Sequence, residues 1–173
     1  RVDVYEHKNF AAALFIAAFT LATGIVFGGS LWGEADPLSD AEGGWWIPVG
    51  FFMMGWISLA VATGLYLWRE PGSFQQQVCQ DRDAALSGSA AVYVLSTSTV
   101  LLKGVSGDFW GWRHGMFGMG AIALMLVGHE IVALAGGARP SFGWRVFEQV
   151  LYVLLAALSW FLLWQFDQWY IGV

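Results

Sequence analysis

Long neutral, apolar stretches alternate with short charged ones along the chain. A charge is costly in hydrocarbon, so charged residues fence off the segments able to cross a bilayer. Between Lys8 and Glu34 lie 25 uncharged residues, and between Glu42 and Arg69 lie 26. Between Arg113 and Arg139 the only charge is Glu130, and another neutral run separates Glu148 from Asp167. A spanning helix needs about 20 mostly apolar residues, so the pattern predicts helices over about 10–33, 46–68, 114–136 and 146–166.

The stretch over about 84–102 is also uncharged, but it holds six Ser or Thr residues. Such hydroxyls can bond back to the preceding turn or across to a neighbouring helix. The segment reads as a fifth span, with a re-entrant or interfacial helix as the alternative. The fold class expected is therefore an all-α integral membrane protein, a polytopic bundle of four to five transmembrane helices forming one domain over 1–173. No separate secretory signal is expected, because the first apolar run is long enough to span.

Charge suggests sidedness. The loop with Glu34, Asp36, Asp40 and Glu42 has no base and belongs outside, which places the N-terminus, with Arg1 and Lys8, in the cytoplasm. Five spans would put Arg139 and Arg145 inside, and Lys103 and Arg113 outside; four spans would exchange those pairs. The bias is the same either way, so it does not choose the span count. Trp45, Trp46, Trp68, Trp110, Trp112, Trp144 and Trp169 fall at span ends, where indoles collect at the lipid interface. Helices in lipid associate by close backbone approach, and Gly24 with Gly28 is a candidate packing pair. Gly115, Gly118, Gly120 and Gly128 offer another small-residue series.

Composition narrows the function. Of 173 residues, 57% are hydrophobic and 12% charged. That excludes a disordered chain, a nucleic-acid binder and an ordinary cytosolic enzyme. The single cysteine, Cys79, excludes an internal disulfide and a cysteine metal cage. There is no HExxH, GxSxG, CxxC or Walker loop. Asp36, Asp40 and Glu42 read as a solvated acidic turn, and Gln75, Gln76 and Gln77 as an exposed loop. The partners implied are the lipid bilayer and other membrane subunits, in a bacterial inner membrane.

Three histidines remain as candidate chemistry: His7, His114 and His129. An ionisable group at membrane depth is a functional candidate by default. His129 and Glu130 lie about four residues past the middle of their span, roughly 6 Å from the midplane. They point about 100° apart, so each needs its own partner. Ser, Thr or Tyr of a neighbouring helix would satisfy them in a purely structural reading; Glu130 is otherwise a candidate proton or polar relay. His114 lies 15 residues before His129. The two share a helix face, about 22 Å apart, with Gly118, Ala121 and Met125 between them.

The segment WRHGMFGMGAIALMLVGHEIVALAGG resembles the first histidine helix of b-type cytochromes. The matching residues are His114, Gly118, Ala121 and His129, followed by Gly136, Gly137 and Arg139. The resemblance implies tetrapyrrole metals ligated by His114 and His129. Two bis-histidine haems need four histidines, whereas a chlorophyll-type pigment needs one axial ligand, so three histidines fit pigment better than a full cytochrome b. His7 and His114 could clamp one haem in a four-span chain and could not in a five-span chain. A second segment, with Gly44, Trp45, Trp46, Pro48, Trp68 and Arg69, resembles the small membrane subunits of tripartite tricarboxylate transporters.

Three functions follow as expectations. The first is an accessory subunit of an electron-transfer or photosynthetic complex, holding haem b or (bacterio)chlorophyll through His114, His129 or His7. The second is a small subunit bracing a transporter. The third is a cofactor-free structural or assembly subunit. Catalysis by the chain alone is not expected.

Overall fold

The computed structural model describes residues 8–32, 45–70, 72–106, 112–136 and 141–171. For 112–119, 133, 136, 167 and 170–171 it describes the backbone alone. His7, the acidic loop and Trp110 lie outside the described residues.

Helices are the form in which a chain satisfies every backbone group inside its own segment, as lipid requires. Among the described residues there are six: α1 (Phe10–Ser30), α2 (Trp46–Arg69), α3 (Phe74–Cys79), α4 (Ala84–Val105), α5 (Trp112–Gly136) and α6 (Phe142–Ile171). No strand occurs among the described residues. Side chains set several of the starts. Asn9 accepts from Ala12 N, Ser73 from Gln76 N, and Asp83 from both Ala85 N and Leu86 N. α2 stops at Arg69 because the next residue but one is Pro71, which disfavours helical backbone at Glu70. Glu70 is extended (φ −65°, ψ 131°) and turns out of the helix line.

Four helices are long and apolar enough to cross a membrane: α1, α2, α4 and the stretch Phe142–Phe166 of α6. α5 is continuous over 25 residues, with Gly120–Val132 as its described apolar part. α4 runs for 22 residues, about 33 Å at 1.5 Å per residue, which matches the hydrocarbon thickness.

α4 is the axis of the bundle. Two-thirds of its apolar window is buried, against 22–33% for the other three long apolar helices. This is why its sequence tolerates so many hydroxyls: it meets protein rather than lipid. Ser87 Oγ donates to Ala11 O at 2.5 Å, while Thr97, Ser98 and Thr99 donate back to carbonyls three or four residues earlier.

α1 lies parallel to α4. Ser87 bonds at its start, and at its far end Gly29 packs on Leu102 so closely that an added Cβ would sit 2.9 Å from that residue's Cα and O. α2 runs antiparallel, with Tyr66 against Tyr93 and Gly55 beside Val105. α6 runs parallel to α4, with Glu148 beside Ser89, and α5 returns between them with His129 on Tyr93. The five long helices therefore alternate in direction. One end of the bundle gathers the starts of α1, α4 and α6, the ends of α2 and α5, and α3. It is called the arginine end below.

The packing pair expected from Gly24 and Gly28 is not used, because a Cβ at either would meet nothing within 4 Å. The close approach is made by the adjacent Gly29, and by Gly55 against Val26 and Val105.

The outer faces carry Ile16, Leu21, Val49, Ile57, Val61, Val150, Leu154, Leu158 and Leu162, all exposed. A continuous apolar coat of this kind fits lipid rather than water. Trp45 and Trp68, at the two ends of α2, are 82% and 84% exposed, as interfacial indoles are. The protein is an integral membrane helical bundle.

Candidate functional site

The charges that fence the spans come together inside the arginine end. On α6, Arg145, Glu148 and Tyr152 follow at i, i+3 and i+7, so they share one face. On α2, Tyr66, Arg69 and Glu70 cover the last turn and its cap. Ser89 and Tyr93 are one turn apart on α4, and His129 and Glu130 come from α5. Four helices thus converge on two guanidinium groups and three carboxyl groups.

Arg145 and Glu70 form a two-pronged pair, Nη1 to Oε1 at 2.8 Å and Nη2 to Oε2 at 2.6 Å. This fork-to-fork geometry is the strongest that an Arg–carboxylate pair offers. Arg145 Nη1 also lies 3.4 Å from Glu148 Oε2. Arg69 spreads wider. Its Nη1 donates to Glu130 Oε1 at 3.1 Å and to the His129 carbonyl at 3.3 Å. Its Nη2 donates to Glu148 Oε1 at 3.0 Å and to the Tyr152 hydroxyl.

Glu148 is the hub. One carboxylate oxygen accepts from Arg69 and Tyr152, the other from Arg145 and from Ser89 Oγ at 3.1 Å. Four donors occupy its lone pairs. The Glu148 side chain is 3% exposed, Arg69 10% and Glu130 38%. Glu130 is therefore the member of the network that opens outward.

Aromatic rings line the inner wall. The Arg69 guanidinium carbon lies 4.6 Å from the Tyr66 ring centroid, 5.6 Å from that of Tyr93 and 5.9 Å from that of Tyr152. His129 is packed between Tyr93 and Tyr152, with ring centroids at 4.7 and 4.5 Å. It is wholly buried. Neither of its ring nitrogens has a hydrogen-bond partner, and the same holds for Tyr93 Oη and Arg69 Nε. Buried polar atoms are nearly always paired, so four orphans in one neighbourhood call for an explanation.

The structure separates the predicted residues. His129 and Glu130 lie at the site but play different parts: Glu130 pairs with Arg69, and His129 makes ring contacts with tyrosines instead of the hydrogen bonds expected of it. The backbone of His114 lies in the first turn of α5, at the end of the bundle opposite Asn9; its side chain is outside the described set. α5's start and α1's start are a helix length apart, so the shared-haem geometry of a four-span chain is not the geometry of this bundle.

A tetrapyrrole metal needs open approach to an imidazole nitrogen. Both nitrogens of His129 are enclosed, with essentially no surface that even a water molecule could touch. One of the flanking tyrosines would have to leave before a macrocycle could reach it. His129 as placed does not fit axial ligation. No group of three His, Cys, Asp or Glu able to hold a metal occurs among the described residues.

Sequence named Arg69, Arg145 and Glu148 only as span limits, sidedness charges or part of the transporter resemblance, and it singled out neither these nor Glu70 and the three tyrosines as site residues. The available signal was the i, i+3, i+7 repeat of Arg145, Glu148 and Tyr152.

No protein-family model matches the chain, and comparison with curated proteins and with solved structures finds no significant relative.

Proposed function

We propose that this chain is a membrane subunit of an energy-converting complex, and that it contributes a proton relay at its arginine end. Glu130 is the outward acceptor, Arg69 and Glu148 hold the charge balance, and His129 with Tyr93 forms the inner terminus. Neutral imidazole accepts a proton at one nitrogen and donates from the other, which suits a residue with both positions unfilled.

The observation that carries this reading is His129: wholly enclosed, beside a network of five ionisable side chains, with neither nitrogen bonded. A cluster kept only for assembly would gain from satisfying those atoms. Ionisable groups inside a helical bundle typically mark ion or proton paths. In this reading a tetrapyrrole is not held at His129. Lys8, Arg69, Arg82 and Arg145 lie at the arginine end, against Lys103 and Arg113 at the other, a positive-inside bias that supports a cytoplasmic arginine end in this reading.

Infrared difference spectroscopy of the protein in bilayers tests the proposal. A pH jump should change a carboxyl band that is lost in Glu130→Gln and an imidazole band that is lost in His129→Phe. The imidazole band should also be lost in Glu130→Gln. An imidazole response unaltered in Glu130→Gln counts against the relay.

A further inference from the structure

Arg69 is held unlike Arg145. Arg145 meets Glu70 edge to edge through both Nη atoms. Arg69 instead lies over the face of Tyr66, with the rings of Tyr93 and Tyr152 within 6 Å of its guanidinium carbon. Glu130 and Glu148 approach it from two sides, and the His129 carbonyl closes a third. Ring faces attract a cation through their quadrupole, and attract a planar guanidinium also by stacking. Three tyrosine rings, two carboxyl groups and a carbonyl surround it as a coordination shell suited to a planar organic cation.

The contacts are uneven around the guanidinium group. Nη1 and Nη2 are paired, whereas its third nitrogen, Nε, is buried with no acceptor among the described residues, and Tyr93 Oη is unpaired as well. A free ion has no stem to fix its orientation and can turn toward acceptors that Arg69 leaves unused. The outer wall of the cage, Glu130, is 38% exposed, so the cage opens on that side.

We propose that the Tyr66–Tyr93–Tyr152 cage is a binding site for planar organic cations of the guanidinium class, and that Arg69 occupies it as a tethered ligand. Withdrawing Arg69 opens a site that a free guanidinium or alkylguanidinium ion can enter past Glu130. The inference stands on the cage geometry and does not depend on the proton relay.

Chemical rescue tests it. Arg69→Gly is purified in detergent, and its thermal unfolding is followed by tryptophan fluorescence during titration with guanidinium chloride at millimolar concentrations. Sodium chloride and ammonium chloride at equal ionic strength are the controls. The melting temperature should rise and saturate with guanidinium and with methylguanidinium, and stay flat with the controls. Wild type, whose cage is filled, should not respond. Recovery of the variant only when guanidinium is present during purification is the same positive result. No guanidinium-specific rise, or failure to recover the variant even in guanidinium, overturns the proposal.

A second pair of variants keeps Arg69 in place. Tyr66→Phe and Tyr66→Leu both remove the hydroxyl, but only the leucine removes the ring face. The leucine variant should melt lower than the phenylalanine variant. Equal melting means that the ring does nothing for the cation, and the cage reading falls.

Discussion

Arg69 and Glu148 are 79 residues apart in the chain and meet at 3.0 Å inside the bundle, 10% and 3% exposed. Breaking a buried pair from one side leaves the other charge without compensation, at a cost of about 3–5 kcal/mol. Arg69→Met and Glu148→Gln should each destabilise on that scale. The double variant should lose clearly less than the sum, because neither of these two side chains is then left facing an absent partner across their shared contact. A double-mutant cycle of reversible unfolding in detergent checks this. Additive losses would mean that the two side chains are not coupled.

Helix approach gives a sharper contrast between neighbouring glycines. A methyl at Gly29 would sit 2.9 Å from the backbone of Leu102, which cannot step aside, whereas one at Gly24 or Gly28 meets open space. Gly29→Ala should cost about 1–3 kcal/mol by forcing α1 off α4. Gly24→Ala and Gly28→Ala should be neutral or slightly stabilising. Comparable losses at all three would place the α1–α4 contact on a different face.

Asn9 joins α1 to α3. Its Nδ2 donates to the carbonyls of Val78 at 2.8 Å and Cys79 at 3.1 Å, and its Oδ1 caps α1 at Ala12 N. Asn9→Asp keeps the cap and removes both donors. It should cost about 1–3 kcal/mol, and limited proteolysis should cut the loop around α3 sooner than in wild type. A loop equally resistant in both proteins would show that Asn9 does not hold α3.

His129 contributes shape and no hydrogen bond. Phenylalanine keeps a ring between Tyr93 and Tyr152, so His129→Phe should change stability by under about 1.5 kcal/mol. His129→Ala opens a cavity and should cost about 3 kcal/mol or more. Any tetrapyrrole absorbance of the purified protein should survive in His129→Phe. Its disappearance would return His129 to the role of metal ligand.

The helical membrane fold was legible because charge is excluded from lipid, and neutral runs are easily seen. The same fencing argument hid the site. Arg69 and Glu148 were read as the limits of two spans, yet these limits fold inward on one another. Pairing across 79 residues leaves no trace in local pattern. α4 read as marginal because its hydroxyls were weighed against lipid; buried against four helices, they bond to backbone instead. Gly24 and Gly28 have packing spacing but face away from α4, since only the tertiary arrangement decides which side of α1 is inner. The depth of His129 and Glu130 drew attention to α5, but depth alone does not distinguish a metal ligand from a ring packed between tyrosines.

In the proposed relay His129, though enclosed, exchanges protons with the arginine end through Glu130. Nitrogen-15 NMR of histidine-labelled protein in bilayers measures this directly, with the His129 signal identified by its loss in His129→Phe. After transfer to deuterated buffer, the wild-type ring N–H should exchange readily, and Glu130→Gln should slow that exchange at least tenfold while the rest of α5 keeps its protection. A ring proton equally protected in both proteins would contradict the relay and leave His129 as packing.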